Sequence, residues 1–422
     1  MSDLKRVRDG VEAILRDHED VGGVSVAYID EYKVSSINVG YARPSTREEL
    51  TDSHFMECAS LSKTVASAFC IEYFAERGYP MTTRVNDLLK MFGSNWSIQS
   101  PKSSKRDVAA EEEKVNPDWV NEVSLAMLIN HTSMGMHYVY GIPLSDQFPA
   151  VETLLNGTYE EKYGYSPLYL EREPGKEFKY SGGGYLILQH LLECMEKKSI
   201  GEIMHPFLVK CGIEEEFTFT LAVPGEQKVA YGVLSKDKEV APEDGGRLSF
   251  PPLAAGGLCT AKALGKFLCQ LAKAYDGQES PIQQSTAKEM LSNSLVDLGA
   301  FDFMRAKAGL GVFVAKANEN RVMLHQAAND GFRGVYMVCF EGPDKGKGFA
   351  LMCNGDNPAV LFQSELAKYL LGAEALGLRG VDFSSTSHFD MTGLKQEQIV
   401  NLGLKELVLS GFLGNDFRTS KL

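Results

Sequence analysis

The chain has 422 residues, 44% of them hydrophobic, and a formal net charge of −13 at pH 7. That hydrophobic share is ordinary for a globular protein able to bury one large core or two joined ones. The acidic excess repels polyanions at long range, which excludes nucleic acid and anionic membrane as main partners and leaves a small molecule as the expected one.

Met1 to Glu19 read as a charged amphipathic helix without the apolar run of a secretory signal, and nowhere do about eighteen apolar residues run together. The expectation is an intracellular protein with no membrane span. Gly23 to Ile29 and Lys33 to Tyr41 are strand-like runs joined by a turn at Asp30 and Glu31, which predicts an antiparallel hairpin.

Ser60 and Lys63 follow, three residues apart, so a hydroxyl and an amine share one helical face. A serine hydroxyl is a poor nucleophile until a neighbour takes its proton, and a lysine amine takes it when its surroundings favour the neutral form. Ser-x-x-Lys is short, and a solvated polar pair is its ordinary meaning. That meaning suits Ser235/Lys238, in a Lys/Asp-rich turn, and Ser285/Lys288, on a polar helix. Only Ser60 opens a helix apolar nearly all round, through Leu61, Val65, Phe69, Ile71 and Phe74, before Gly78 and Pro80 end it. Such a helix belongs inside a domain, and a lysine in its first turn is expected to have its charged form disfavoured by burial and by the helix dipole.

Ser100 to Asp118, charged and containing Pro and Ser, reads as an exposed loop, and residues 120–215 as mostly helical. Gly311 to Ala315, Val335 to Cys339 and Gly348 to Cys353 are short β-type runs, followed by a helix pattern from Leu361 to Leu371. Strands near both ends imply an α/β fold: one antiparallel sheet flanked by helices, built discontinuously from residues 1–75 and 255–372, with a mostly helical inserted domain over 76–254. A cleft at their junction would let Ser60 meet residues from elsewhere. Residues 373–422 form an appendage with an amphipathic helix from Leu394 to Leu409. Its last three residues, Ser420, Lys421 and Leu422, spell the address read by the peroxisomal import receptor when it is free and C-terminal, which predicts a peroxisomal protein and otherwise a cytoplasmic one.

The eight cysteines, at 58, 70, 194, 211, 259, 269, 339 and 353, are scattered through mostly apolar segments with no C-x-x-C pair. Reduced thiols are expected, and neither a metal nor another cofactor.

Several separate segments resemble one family, the group of class C β-lactamases, penicillin-binding proteins and family VIII carboxylesterases. Besides Ser60/Lys63, the run from Ser124 through His131, Thr132 and Ser133 to Gly135 resembles its "LLxHTSG" segment, and Pro174 to Ser181 its "PGxxFxYSN". Ala254 to Thr260 is similar to "AAGGLxST", and Leu351 to Asp356 to its closing strand. The resemblance implies a β-lactamase/transpeptidase-like fold and an acyl-enzyme at Ser60, with Lys63 and the Tyr180 hydroxyl moving the proton to the leaving group. One oxyanion donor is the amide at Ser60; the other is expected at Ala328, in a stretch from His325 to Ala328 similar to the family's Lys-Thr-Gly or His-x-Gly strand. His325 is expected to face the substrate.

Three departures bear on the substrate. His325 replaces a lysine that holds a carboxylate, Gly182 replaces the asparagine of "YSN", and Ala327 stands where the family has glycine. Together they favour a small-molecule ester or thioester over a lactam or peptide, with hydrolysis and acyl transfer both open. A D-amino-acid amidase or β-lactamase-type amide hydrolase is the alternative enzyme. A scaffold or filament-forming protein of the same fold is the alternative class.

Overall fold

A computed structural model describes residues 3–16, 21–101, 116–137, 140–223, 228–235, 238–298, 306–317 and 319–355. The helix patterns expected after residue 360 and the Ser420-Lys421-Leu422 tail lie outside the described residues.

The framework is a nine-stranded sheet in which neighbouring strands run antiparallel. Its order is Val296–Asp297, Lys307–Ala308, Phe313–Ala317, Asn320–Asn329, Phe332–Glu341, Gly348–Gly355, Val21–Asp30, Lys33–Arg43 and Glu48–Glu49. The Val21–Asp30 strand pairs on one side with its hairpin partner and on the other with Gly348–Gly355, so chain segments more than three hundred residues apart share the sheet centre. Alternation along this strand feeds two cores, as the period of a pleated strand requires. Val24, Val26 and Tyr28 join Val7 and Val11 of the helix Asp3–Leu15. Ala27 and Ile29 join the opposite cluster, which includes the helices Ser62–Glu76 and Ala261–Tyr275. Gly265 lets the latter helix lie close, since a Cβ there would stand 2.7 Å from that of Ala27.

The Ser60 helix is buried from Ser62 through Phe74, polar residues included. An all-round apolar sequence has no water-facing side and is placed in the interior. The other two Ser-x-x-Lys pairs are peripheral: Ser235 and Lys238 face one another across an exposed hairpin, and Ser285 is exposed while Lys288 lies over the Tyr275 ring.

Residues 120–215 are less helical than their apolar content predicts. Helices cover Leu125–Ile129, Val151–Leu155, Glu160–Tyr163, Gly183–Glu196 and Ile200–Lys210. Between them Pro143, Pro149, Pro167 and Pro174 remove backbone donors and fix φ, so long stretches run as ordered loops. His131 and Tyr180 both lie in such stretches. The strand expected over Gly311 to Ala315 begins instead at Phe313, because Gly311 turns the chain with φ +73°.

Candidate active site

Ser60 sits in the tight turn Ala59–Leu61 that runs into the helix Ser62–Glu76. Ala59, just before it, has φ +43°, a left-handed conformation that costs an L-residue about 1–2 kcal/mol. Strain of this kind persists where the surroundings over-determine it. Here the Cys58 amide donates to Gly257 O at 2.8 Å and the Leu61 amide to Cys58 O at 2.9 Å. The turn packs against the strand Asn320–Asn329, and as a helix start it leaves early amides without an intrahelical acceptor.

Lys63 is fully buried, with Nζ 3.3 Å from Ser60 Oγ and donating to Ala254 O at 2.6 Å. Burial alone lowers its ammonium from 10.5 to about 7. Nζ lies 5.0 Å from the ring centre of Tyr180 and 5.4 Å from that of Tyr185, which places the amine between two aromatic faces.

Tyr180 belongs to the apolar cluster on one side of the sheet and Leu61 to that on the other, so the site lies where the two cores meet. The phenol is buried, which pushes its pKa well up, and the neighbouring Ser60 hydroxyl is the one opposing influence. Among the described residues its oxygen makes no hydrogen bond of good distance and angle. Phenol and serine therefore face each other at close range without being locked together, as apo catalytic groups often do.

His325 lies on the Asn320–Asn329 strand with its ring centre 6.1 Å from Tyr180 and 5.1 Å from Phe313. Its Nδ1 lies 2.6 Å from Gln326 O, which fixes the hydrogen there, and its buried Nε2 has no partner among the described residues. Burial first, then the nearby Lys63, depress the ring to about 3, so it is neutral at physiological pH. Ala328, on the same strand, is half-buried and sits opposite Arg333. Pairing with Phe313–Ala317 stops at Leu324, so among the described residues the segment from His325 to Asn329 is an edge on that side.

Three contributors to the site carry no signal in the Ser-x-x-Lys spacing. The first is the backbone of residues 254–257, where Ala254 O takes Lys63, Ala255 O takes Asn329 Nδ2 at 3.0 Å, and the Gly257 amide donates to Ser62 Oγ at 3.0 Å. Its Ala-Ala-Gly-Gly composition, which lets backbone approach a buried helix start, is the clue in the sequence. The second is Glu57, whose carboxylate accepts from Asn329 Nδ2 and, at 3.3 Å, from the Leu248 amide. Desolvation raises it to about 7 against the pull of Asn329 and Arg247. The third is His131, whose ring lies 4.5 Å from that of Tyr180 at an interplanar angle of 31°.

The model of the beta-lactamase family matches residues 9–374. The chain belongs to the beta-lactamase family. It is thereby a member of a serine hydrolase family with the β-lactamase fold. Among solved structures this beta-lactamase family member is similar to the octameric penicillin-binding protein homologue from Pyrococcus abyssi, at 17% identity and a TM-score of 0.63 over 92% of this chain and 81% of that one. It is similar to the D-amino acid amidase from Ochrobactrum anthropi SV3 at 16% identity and TM-score 0.63, over 92% of this chain and 100% of that one. SurE matches at 17% identity and TM-score 0.58, over 88% and 76% of the two chains. At these identities the likeness is one of fold. No curated protein matches the chain.

Proposed function

We propose that the protein is a serine hydrolase or acyltransferase that cleaves a small ester or thioester through an acyl-enzyme at Ser60. The observation that carries the proposal is the fully buried Lys63, lowered to about 7, with its Nζ 3.3 Å from the Ser60 hydroxyl. A neutral amine that donates one N–H to Ala254 O keeps its lone pair for the serine proton. Ser60 Oγ then attacks the carbonyl carbon, and the Ser60 and Ala328 amides receive the developing oxyanion. Lys63 returns the proton through the Tyr180 phenol to the departing alkoxide or thiolate, and water or another acceptor hydroxyl takes the acyl group from Ser60 by the reverse route. The phenol's raised pKa keeps it protonated and able to donate.

The substrate class follows from charge. A neutral His325 offers no anchor for a carboxylate, and Gly182 brings no side-chain amide to orient a scissile amide. Both favour an uncharged acyl group in ester or thioester linkage. Amide hydrolysis is the second reading, favoured by the shared fold of the D-amino acid amidase. Nitrophenyl esters, an acyl-CoA, a chromogenic cephalosporin and D-alanyl amides, tested side by side, decide between them: the esters and acyl-CoA are expected to turn over fastest, and faster turnover of the cephalosporin or the amides would reject the ester reading. A native protein that neither turns over any of these nor reacts with a fluorophosphonate would favour the scaffold class.

The same proposal includes import into the peroxisome by a receptor that reads Ser420, Lys421 and Leu422. A fluorescent protein fused ahead of residue 1, leaving the tail free, is expected to concentrate in peroxisomes. A diffuse signal, equal to that of a chain truncated after Arg418, would reject import.

A further inference from the structure

Tyr180 is the one proton-transfer group of the proposed chemistry that stands on a loop, and what holds that loop is the segment His131 to Gly135. The Lys179 amide donates to His131 O at 2.7 Å. The Ser181 amide donates to His131 Nδ1 at 3.0 Å, Ser181 Oγ to Gly135 O at 3.0 Å, and the Gly183 amide to the same Gly135 O at 3.2 Å. The residues on both sides of Tyr180 are thus bonded to His131, one through its carbonyl and one through its ring. The imidazole also lies along the Tyr180 ring, 4.5 Å between centres, and meets Phe178 edge-on at 5.7 Å. His131 has φ +63°, which turns its carbonyl and its ring toward the same loop.

We propose that His131 is the positioning residue for Tyr180: a neutral imidazole, protonated on Nε2, whose Nδ1 and ring face fix the phenol beside Ser60 and Lys63. Nδ1 must be unprotonated to accept the Ser181 amide, which selects the Nε2–H tautomer. Burial, Lys63 and His325 all hold the ring uncharged. His131 exchanges no proton with the substrate; it acts through Tyr180, and the inference rests on the role proposed for that phenol.

The test separates the ring from the backbone. His131→Gly and His131→Asn both tolerate a positive φ, but only asparagine puts an acceptor where Nδ1 stands. His131→Gly is expected to slow acylation by about 10²-fold, the cost of a catalytic group displaced by about 1 Å, with KM little changed, and His131→Asn is expected to recover most of that loss. Acylation is read as the single-turnover rate with nitrophenyl acetate and as the rate of fluorophosphonate labelling. Equal rates in native protein and His131→Gly would overturn the inference, as would a loss in His131→Asn as deep as in His131→Gly. Histidine-selective ¹⁵N NMR of the native chain gives a second readout if the glycine variant does not fold. An Nε2–H tautomer at pH 6 to 8 is expected, and a charged ring or the Nδ1–H tautomer overturns the assignment. A native protein that does not acylate at all strikes the hydrolase reading itself and the inference with it, whereas a reactive native protein with a fast His131→Gly strikes the inference alone.

Discussion

Fluorophosphonate labelling is expected to vanish in Ser60→Ala and to fall about 10³-fold in Lys63→Met, within the range that a positioned general base contributes. The reason lies in one number and one distance: an ammonium lowered to about 7 and an Nζ 3.3 Å from the serine oxygen. Because the neutral amine is the active form, the labelling rate of the native protein should rise with pH along a single limb centred near 7, and Lys63→Met should lose that limb. Tyr180 titrates far higher and adds no second limb in this window. Stability should also rise with pH, over a higher range. The Lys63 pKa is depressed on folding from 10.5, so its contribution is full above 10.5, declines as pH falls toward about 7, and is constant below that. At pH 7 and below the native fold carries a buried charge, and methionine removes it at similar volume. The variant should therefore melt above the native protein at pH 7, by a margin on the order of a few kcal/mol that narrows toward pH 10. A labelling rate in Lys63→Met equal to the native rate, or a flat native pH profile from 6 to 8, would reject Lys63 as the base.

Choosing Ser60 over the two other Ser-x-x-Lys pairs needed only the hydrophobic pattern, because a helix with no polar face has one place to go, and its lysine goes with it. The central hairpin was legible for the same reason, since Val24, Val26 and Tyr28 alternate with Ala27 and Ile29 between two different cores. Periodicity says nothing about segments held by backbone carbonyls. Ala254 O and Ala255 O meet Lys63 and Asn329 across sequence gaps of 191 and 74 residues, and no residue type announces a carbonyl as an acceptor. His131 was readable only as part of a quoted motif. Its geometry depends on φ +63° and on a loop fifty residues later, neither of which leaves a trace in local composition. Glu57 escaped because a carboxyl beside a strand of apolar residues looks like an exposed end until Asn329, Leu248 and Arg247 are seen around it. The reading of residues 120–215 as mostly helical missed that Pro143, Pro149, Pro167 and Pro174 interrupt the segments between the helices.

Gly311→Ala is expected to destabilise the fold by about 4 kcal/mol, and Gly78→Ala, with nearly the same φ, by about 1 kcal/mol. The backbone cost is shared: φ is +73° at Gly311 and +78° at Gly78. The space around them is not. A Cβ at Gly78 meets nothing within 4 Å among the described residues, whereas one at Gly311 would stand 2.1 Å from Ser67 Oγ and 2.8 Å from Lys63 O. Ser67 cannot turn away cheaply, because its hydroxyl donates to Lys63 O at 2.6 Å and lies 2.8 Å from the Tyr185 hydroxyl. Gly311 O meanwhile accepts from Thr64 Oγ1 at 2.8 Å. Relief of the clash must break these bonds, at about 1 kcal/mol each, or move the first turn of the Ser60 helix. That turn carries Lys63, so Gly311→Ala should also slow fluorophosphonate labelling, while Gly78→Ala, at the helix's far end, should label at the native rate. Thermal melts and labelling rates on the two variants check both halves. Equal melting temperatures would show that the glycine at 311 is needed only for its φ, and a destabilised Gly311→Ala that labels normally would show that the clash is absorbed by the loop and never reaches Lys63.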